Sequence, residues 1–96
     1  MNDIDNIHET LTKEFHNYVL NLRQKNHWVP EAADHIFSRL LNTNQVTQQV
    51  LKKDLCTSLG VSETTLTRSL ALMEKGGFIK ITSKPRMGTI ITINNL

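Results

Sequence analysis

The spacing of the apolar residues changes at Gly76–Gly77 from a helical period to a strand period. Upstream of this point, apolar residues recur every three or four positions, which is typical of amphipathic helices. Downstream, apolar and polar residues alternate in Phe78–Thr82 and again in Thr89–Ile93. The residues between these segments, 83–88, are rich in turn formers, so the pattern predicts a β-hairpin with a six-residue loop. The side chains expected to face the core are Ile79, Ile81, Ile91 and Ile93.

Four helices are predicted ahead of the hairpin. The first is a long amphipathic helix over roughly Asp5–Lys25. The second begins at Pro30, which suits a first helical position, and ends at the turn-forming residues 42–44. The third spans about Lys52–Leu59 and the fourth spans Glu63–Lys75. The chain is therefore expected to be mainly α-helical with a small β-hairpin.

Three local features refine these boundaries. The segment Gln45–Leu51 fits either a helical face or a strand, and we favour a short strand near Gln48–Leu51. Gly60 is expected to end the third helix, because glycine adopts the left-handed conformation without a Cβ clash. Ser62 is expected to be the N-cap of the fourth helix, since its hydroxyl accepts a hydrogen bond from the free amides of the first turn.

Length and composition exclude several classes of protein. A chain of 96 residues is long enough for one domain with a single modest core. Cys56 is the only cysteine, so neither an internal disulfide nor a paired-cysteine metal site is available. No apolar run is long enough to span a membrane, and the acidic start of the chain lacks the features of a signal peptide. We therefore expect a cytoplasmic protein without membrane contact.

Basic side chains are concentrated in the second half of the chain. The formal net charge is only +2, but residues 1–48 carry four basic and six acidic side chains, whereas residues 49–96 carry seven basic and three acidic. From Gly76 onward there are three basic residues, Lys80, Lys84 and Arg86, and no acidic one. This asymmetry favours a polyanion as the partner of the second half.

A string of residues in the second half matches a known DNA-binding pattern. Leu55–Ser62 reads Leu-Cys-Thr-Ser-Leu-Gly-Val-Ser, and Thr65-Leu66, Leu70, Met73-Glu74 and Gly77-Phe78-Ile79 follow it. This spacing resembles winged helix-turn-helix DNA-binding domains of the small bacterial, plasmid or phage type. In that family, Leu-Ala-x-x-Leu-Gly-Val-Ser precedes Thr-apolar, Leu-x-x-Leu-Glu and Gly-apolar-Ile. The match covers Leu51–Ile93.

The resemblance implies a winged helix-turn-helix over residues 46–96, preceded by an N-terminal helical segment, 1–45, that serves packing or dimerisation. Cys56 stands where the family has alanine, which implies a small, buried position and an inert thiol. In this family the early residues of the second helix of the pair enter the major groove, and the hairpin, or wing, contacts phosphates or the minor groove. The implied recognition helix is 63–75 and the implied wing is 80–89.

The residues expected to contact DNA lie in three places: the start of the third helix, the recognition helix with its cap, and the wing. Thr64 and Thr67 suit phosphates or base edges, and Arg68 suits a guanine or a phosphate. Any solvated helix also carries such side chains, and Glu63 is expected to cap the helix rather than to bind DNA. The wing is expected to supply more binding energy than the recognition helix, with Arg86 outweighing Arg68. The full set is Lys52, Lys53, Ser62, Thr64, Thr67, Arg68, Lys80, Lys84 and Arg86.

The first helix has two possible roles. Most DNA-binding modules of this size gain affinity by two-fold pairing, so we expect a homodimer through this helix. The alternative is that its apolar stripe packs on the same chain. Trp28 is either a loop anchor or an interface residue. The expected dimer contacts are Leu11, Phe15, Tyr18 and Leu22.

No motif for catalysis, metal binding or a cofactor is present in the sequence. The four histidines lack zinc-site spacing, and no catalytic motif occurs. We expect a non-enzymatic, sequence-specific double-stranded DNA-binding protein without cofactor or metal. Its role is either that of a transcriptional regulator or that of an accessory protein of a plasmid or other mobile element, at an origin of conjugative transfer or replication. Other proteins of a DNA-processing complex are further expected partners. The alternative is a protein–protein adaptor that uses the winged-helix fold without DNA.

Overall fold

Helices precede most of the sheet along the chain, as the change of period predicts. The computed structural model describes the backbone of residues 3–84 and 88–96, and the side chains of residues 6–83 and 88–96. Within this part of the chain, four helices and three strands occur in the order α1, α2, β1, α3, α4, β2, β3. Their bounds are α1 Asp3–Gln24, α2 Ala33–Asn42, β1 Thr47–Val50, α3 Lys52–Leu59, α4 Glu63–Lys75, β2 Ile79–Lys84 and β3 Gly88–Ile93.

The helix boundaries agree closely with the sequence. Helices α3 and α4 begin and end at the predicted residues. Helix α2 begins at Ala33 instead of Pro30, because the N–H of Ala33 first closes a turn onto the carbonyl of Pro30 at 3.1 Å. Both hairpin strands are longer than predicted, since β2 extends to Lys84 and β3 begins at Gly88. Residues 85–87 of the predicted loop, including Arg86, lie outside the described residues.

The three strands form one antiparallel sheet in the order β1-β3-β2. The predicted short strand is thus confirmed at Thr47–Val50, and it adds an edge to the predicted hairpin. Ile79 pairs with Ile93 and Ile81 with Ile91, so all four predicted inward side chains share one face of the sheet. The side chain of Ile81 is half-buried. The other three are buried: Ile79, Ile91 and Ile93.

A polar side chain, Gln48, also lies on the inner face of the sheet. It pairs with Ile91 across the ladder and is only 5% exposed. Its amide nitrogen donates to the carbonyl of Leu40 at 2.9 Å and to that of Gln45 at 3.3 Å. These bonds satisfy the buried amide and tie β1 to the end of α2.

One hydrophobic core joins α1, α2, α4 and the sheet. At its centre, the ring of Phe15 from α1 lies 4.6 Å from that of Phe37 in α2 and 5.2 Å from that of Phe78, measured between centroids. Phe78 directly precedes β2. The first helix therefore packs on the chain that carries it. No helix in the described part of the chain is long and apolar enough to cross a membrane.

This core corrects the expected dimer contacts. Leu11 is 4% exposed and Phe15 is 1% exposed, so both side chains are already covered by their own chain. Tyr18 and Leu22 are half-buried against the same core and keep part of their surface free. Leu11 and Phe15 therefore pack on their own chain, which was the alternative to a dimer contact. Pairing of two copies through the remaining surface stays a prediction.

Candidate nucleic-acid interface

A tight turn sets the direction of α4 relative to α3. Gly60 has φ +71° and ψ +33°, and its N–H and that of Val61 both donate to the carbonyl of Cys56. This left-handed conformation is the one that glycine adopts without a Cβ clash. Ser62 then has extended backbone and begins α4 as its N-cap, as predicted. Cys56 is half-buried, as a free thiol.

The hydroxyl of Ser62 is used by this cap. Its Oγ accepts a hydrogen bond from the N–H of Thr65 at 3.1 Å and donates to the hydroxyl of Thr65 at 3.0 Å. Ser62, which was proposed as a DNA contact, therefore also has a structural role as the cap of α4.

Helix α4 has one buried face and one exposed face. Leu66, Ser69, Leu70 and Met73 are buried against the core. Their opposite face is exposed at Glu63, Thr64, Thr67, Arg68 and Ala71, and Leu72 is half-buried.

Four of the exposed side chains on α4 line one shallow depression. Its volume is about 320 Å³, and its walls are Glu63, Thr64, Thr67 and Arg68. The structure thus brings the two threonines and the arginine together on one surface. Hydroxyls and a guanidinium are groups that bind phosphates and base edges. Glu63 lies in the first turn of α4, where a carboxylate is favourable for the helix dipole.

The other predicted basic contacts lie on different elements. Lys52 and Lys53 begin α3, the first half-buried and the second exposed. Lys80 is exposed and pairs in register with Thr92, on the face of the sheet opposite to Ile79 and Ile81. The Lys84 side chain is outside the described residues, as is Arg86. The greater role expected for the wing stays a prediction.

The loop end of the hairpin is held by a close approach between the start of β3 and the end of β1. Gly88 has φ +75°, and a Cβ at this position would lie 2.7 Å from the carbonyl oxygen of Val50 and 3.0 Å from Leu51 Cδ2. Only glycine fits both this conformation and this space. Gly88 therefore fixes the loop end of the hairpin against the end of β1.

Trp28, for which the sequence left two roles open, lies beside α4. The guanidinium carbon of Arg68 lies over its ring, 4.9 Å from the centroid. The Trp28 side chain is 63% exposed, whereas the next two residues, Val29 and Pro30, are buried. The loop is thus anchored by Val29 and Pro30, and Trp28 stands on the surface beside the candidate contact residue Arg68.

Side chains that could ligate a metal ion are not clustered in the described part of the chain. No group of three or more His, Cys, Asp or Glu side chains that could hold a metal ion is found there. His16 Nδ1 lies 3.3 Å from the Asp34 carboxylate, which joins α1 to α2 at the surface.

Comparison of the chain with protein-family models, with curated proteins and with solved structures found no match.

Proposed function

We propose that this chain is a sequence-specific double-stranded DNA-binding protein with a winged helix-turn-helix fold. In this proposal α4 is the recognition helix, and the hairpin of β2 and β3 is the wing. The protein acts by occupying a DNA site and carries out no chemical reaction.

The observation that carries the proposal is the exposed face of α4. A helix pair joined at Gly60 turns Thr64, Thr67 and Arg68 outward onto one surface, near the start of the second helix. Recognition helices use such early positions in the major groove. Threonine hydroxyls bond phosphates or base edges, and arginine donates to the N7 and O6 atoms of guanine.

The order of elements and the distribution of charge also support the proposal. A helix pair followed by a hairpin is the order that the resemblance implies, and both are present. Lys52, Lys53 and Lys80 add positive charge on the neighbouring elements. Phosphate attraction of this kind supplies affinity, whereas the face of α4 supplies specificity.

The biological role that we propose is one of two. The protein is an accessory protein of a plasmid or other mobile element, binding an origin in conjugative transfer or replication, or it is a transcriptional regulator. Cytoplasmic location, pairing into a homodimer on two half-sites and contact with other proteins of a DNA-processing complex belong to the same proposal.

Selection of bound duplexes from a randomised pool, at near-physiological salt, tests DNA recognition. The full chain is used, with Arg68→Ala and Arg23→Ala as variants that each remove one positive charge. Arg23 lies in the last turn of α1 and does not line the depression that holds Thr64, Thr67 and Arg68. We expect an enriched motif with the wild type and Arg23→Ala, and a weaker or altered motif with Arg68→Ala. Near-physiological salt is required because phosphate attraction alone holds any duplex at low salt.

A protein–protein adaptor is the second candidate function. The observation that favours it is the carboxylate of Glu63, which lines the same depression as Arg68 and repels phosphate. An adaptor would enrich no DNA motif and would show no salt-sensitive binding to any duplex, so the selection separates the two functions.

A further inference from the structure

We infer that Trp28 is a positioning residue for Arg68, and that it extends the proposed DNA interface from α4 onto the loop between α1 and α2. This inference rests on the proposed function. It concerns a residue that lies outside the helix pair and outside the hairpin.

The backbone holds Trp28 firmly in place. Helix α1 ends at Gln24, Asn26 turns the chain after it with φ +64°, and the N–H of His27 donates to the carbonyl of Leu22 at 3.0 Å. On the other side, Val29 and Pro30 are buried. Trp28 thus lies between two fixed points, and its exposed ring is presented by a loop that is tied at both ends.

Trp28 forms a ridge along α4. Its side chain borders two surface grooves, one shared with Arg68 and Lys75 and the other shared with Ser62 and Thr65. Thr65 and Arg68 are three residues apart on α4 and therefore share one side of that helix. The ring consequently runs beside the first half of α4, at the margin of the surface that carries Thr64 and Thr67.

The contact leaves the donors of Arg68 free. A cation–π contact with the face of a ring needs no hydrogen-bond acceptor, so the five N–H donors of the guanidinium are not consumed by an acceptor there. Within residues 6–83 and 88–96, the Arg68 side chain has no hydrogen-bond or ion-pair partner. An arginine that is already held loses less side-chain entropy when it binds a phosphate or a guanine. Trp28 therefore lowers the entropic cost of the Arg68 contact.

A double-mutant cycle on binding of the selected duplex tests this role. The variants are Trp28→Ala, Arg68→Ala and the double variant, each checked for folding by circular dichroism. We expect Trp28→Ala to weaken binding about two- to fivefold. Trp28→Phe, which keeps an aromatic ring, is expected to retain most of the wild-type affinity. In the Arg68→Ala background, Trp28→Ala is expected to have no further effect.

The salt dependence separates positioning from a direct phosphate contact. Arg68→Ala is expected to lower the slope of log affinity against log salt by about one if Arg68 binds a phosphate, whereas Trp28→Ala leaves the slope unchanged because no charge is removed. An equal loss from Trp28→Ala in both backgrounds, or tighter binding by Trp28→Ala, would overturn the inference.

The contact itself is measured without DNA. Trp28 is the only tryptophan, so its native emission reports on its surroundings. We expect Arg68→Ala to change that emission in the free protein and Arg23→Ala to leave it unchanged; an unchanged spectrum with Arg68→Ala overturns the contact. If the wild type binds no duplex, the proposed function falls together with this role. If binding persists without coupling between the two residues, only the role of Trp28 falls.

Discussion

The carboxylate of Glu74 accepts a hydrogen bond from the backbone N–H of Ile81, at 2.9 Å. Glu74 lies near the end of α4, and Ile81 lies in β2, which is an edge strand because the sheet order is β1-β3-β2. The N–H groups on the free edge of β2 have no strand to pair with, and the carboxylate takes one of them. Glu74 thus fixes the hairpin to the helix that carries the candidate contact residues.

Glu74→Ala is expected to destabilise the protein by roughly 1–2 kcal/mol, because it removes a charged acceptor from a backbone N–H. Glu74→Gln keeps a carbonyl acceptor and should cost about half as much. Urea unfolding measures both. Glu14→Ala, at an exposed position of α1, is the control and should change the free energy of unfolding by less than about 0.5 kcal/mol. Equal stability of Glu74→Ala and the control would show that the bond is not formed.

Gly88→Ala is expected to be more harmful than Gly60→Ala, although the two glycines have nearly the same φ, +75° and +71°. At Gly60 nothing lies within 4 Å of an added Cβ, so only backbone strain of about 1 kcal/mol arises. At Gly88 the Cβ meets the Val50 carbonyl at 2.7 Å, which adds roughly 1–3 kcal/mol of overpacking. Thermal unfolding of the two variants, side by side, measures the difference. Equal losses would contradict the close approach of β3 to Val50.

Gln48→Glu is expected to destabilise the fold at neutral pH by at least about 2 kcal/mol. The substituted side chain would bring a buried carboxylate against the carbonyl oxygens of Leu40 and Gln45, neither of which donates a hydrogen bond. Gln45→Glu makes the same chemical change at an exposed side chain and should have little effect. Denaturant midpoints at constant pH compare the two variants. A Gln48→Glu protein as stable as Gln45→Glu would mean that Gln48 does not face the core.

Phe15→Ala is expected to destabilise the single chain by roughly 3–5 kcal/mol, because Phe15 lies at the centre of the aromatic cluster with Phe37 and Phe78. Leu20→Ala, on the same helix but 41% exposed, should be close to neutral. Urea unfolding at several protein concentrations gives both values. If Phe15→Ala altered only the oligomeric state and left the monomer equally stable, Phe15 would be a dimer contact after all.

Local signals made the helix pair predictable from the sequence. Gly60 ends α3 and Ser62 caps α4, and each does so through its own backbone conformation and nearest neighbours. Such signals lie within a few residues of each other along the chain, so no tertiary information is needed to interpret them. Leu66 and Leu70 are four residues apart, so the helical period places them on one face of α4 and leaves the opposite face to solvent.

The features that the sequence left open depend on contacts between distant segments. The segment that forms β1 was ambiguous because Gln48, a polar residue, occupies its buried position. The apolar stripe of α1 indicated that Phe15 is covered, but a stripe does not identify what covers it. Trp28 and Arg68 belong to different elements, and only the folded chain brings them together. Sequence patterns therefore indicated the candidate site on α4, but not that Trp28 lies at its margin.

The most direct test of the central claim is the affinity of the wild type, Arg68→Ala and Arg23→Ala for the duplex obtained by selection, measured over a range of salt concentrations. We predict that Arg68→Ala binds the selected duplex at least about fivefold more weakly than the wild type, in keeping with 1–3 kcal/mol for a good arginine–base contact, and that Arg23→Ala binds like the wild type. If no duplex is enriched, or if Arg68→Ala and Arg23→Ala bind equally well, the exposed face of α4 is not a DNA-recognition surface.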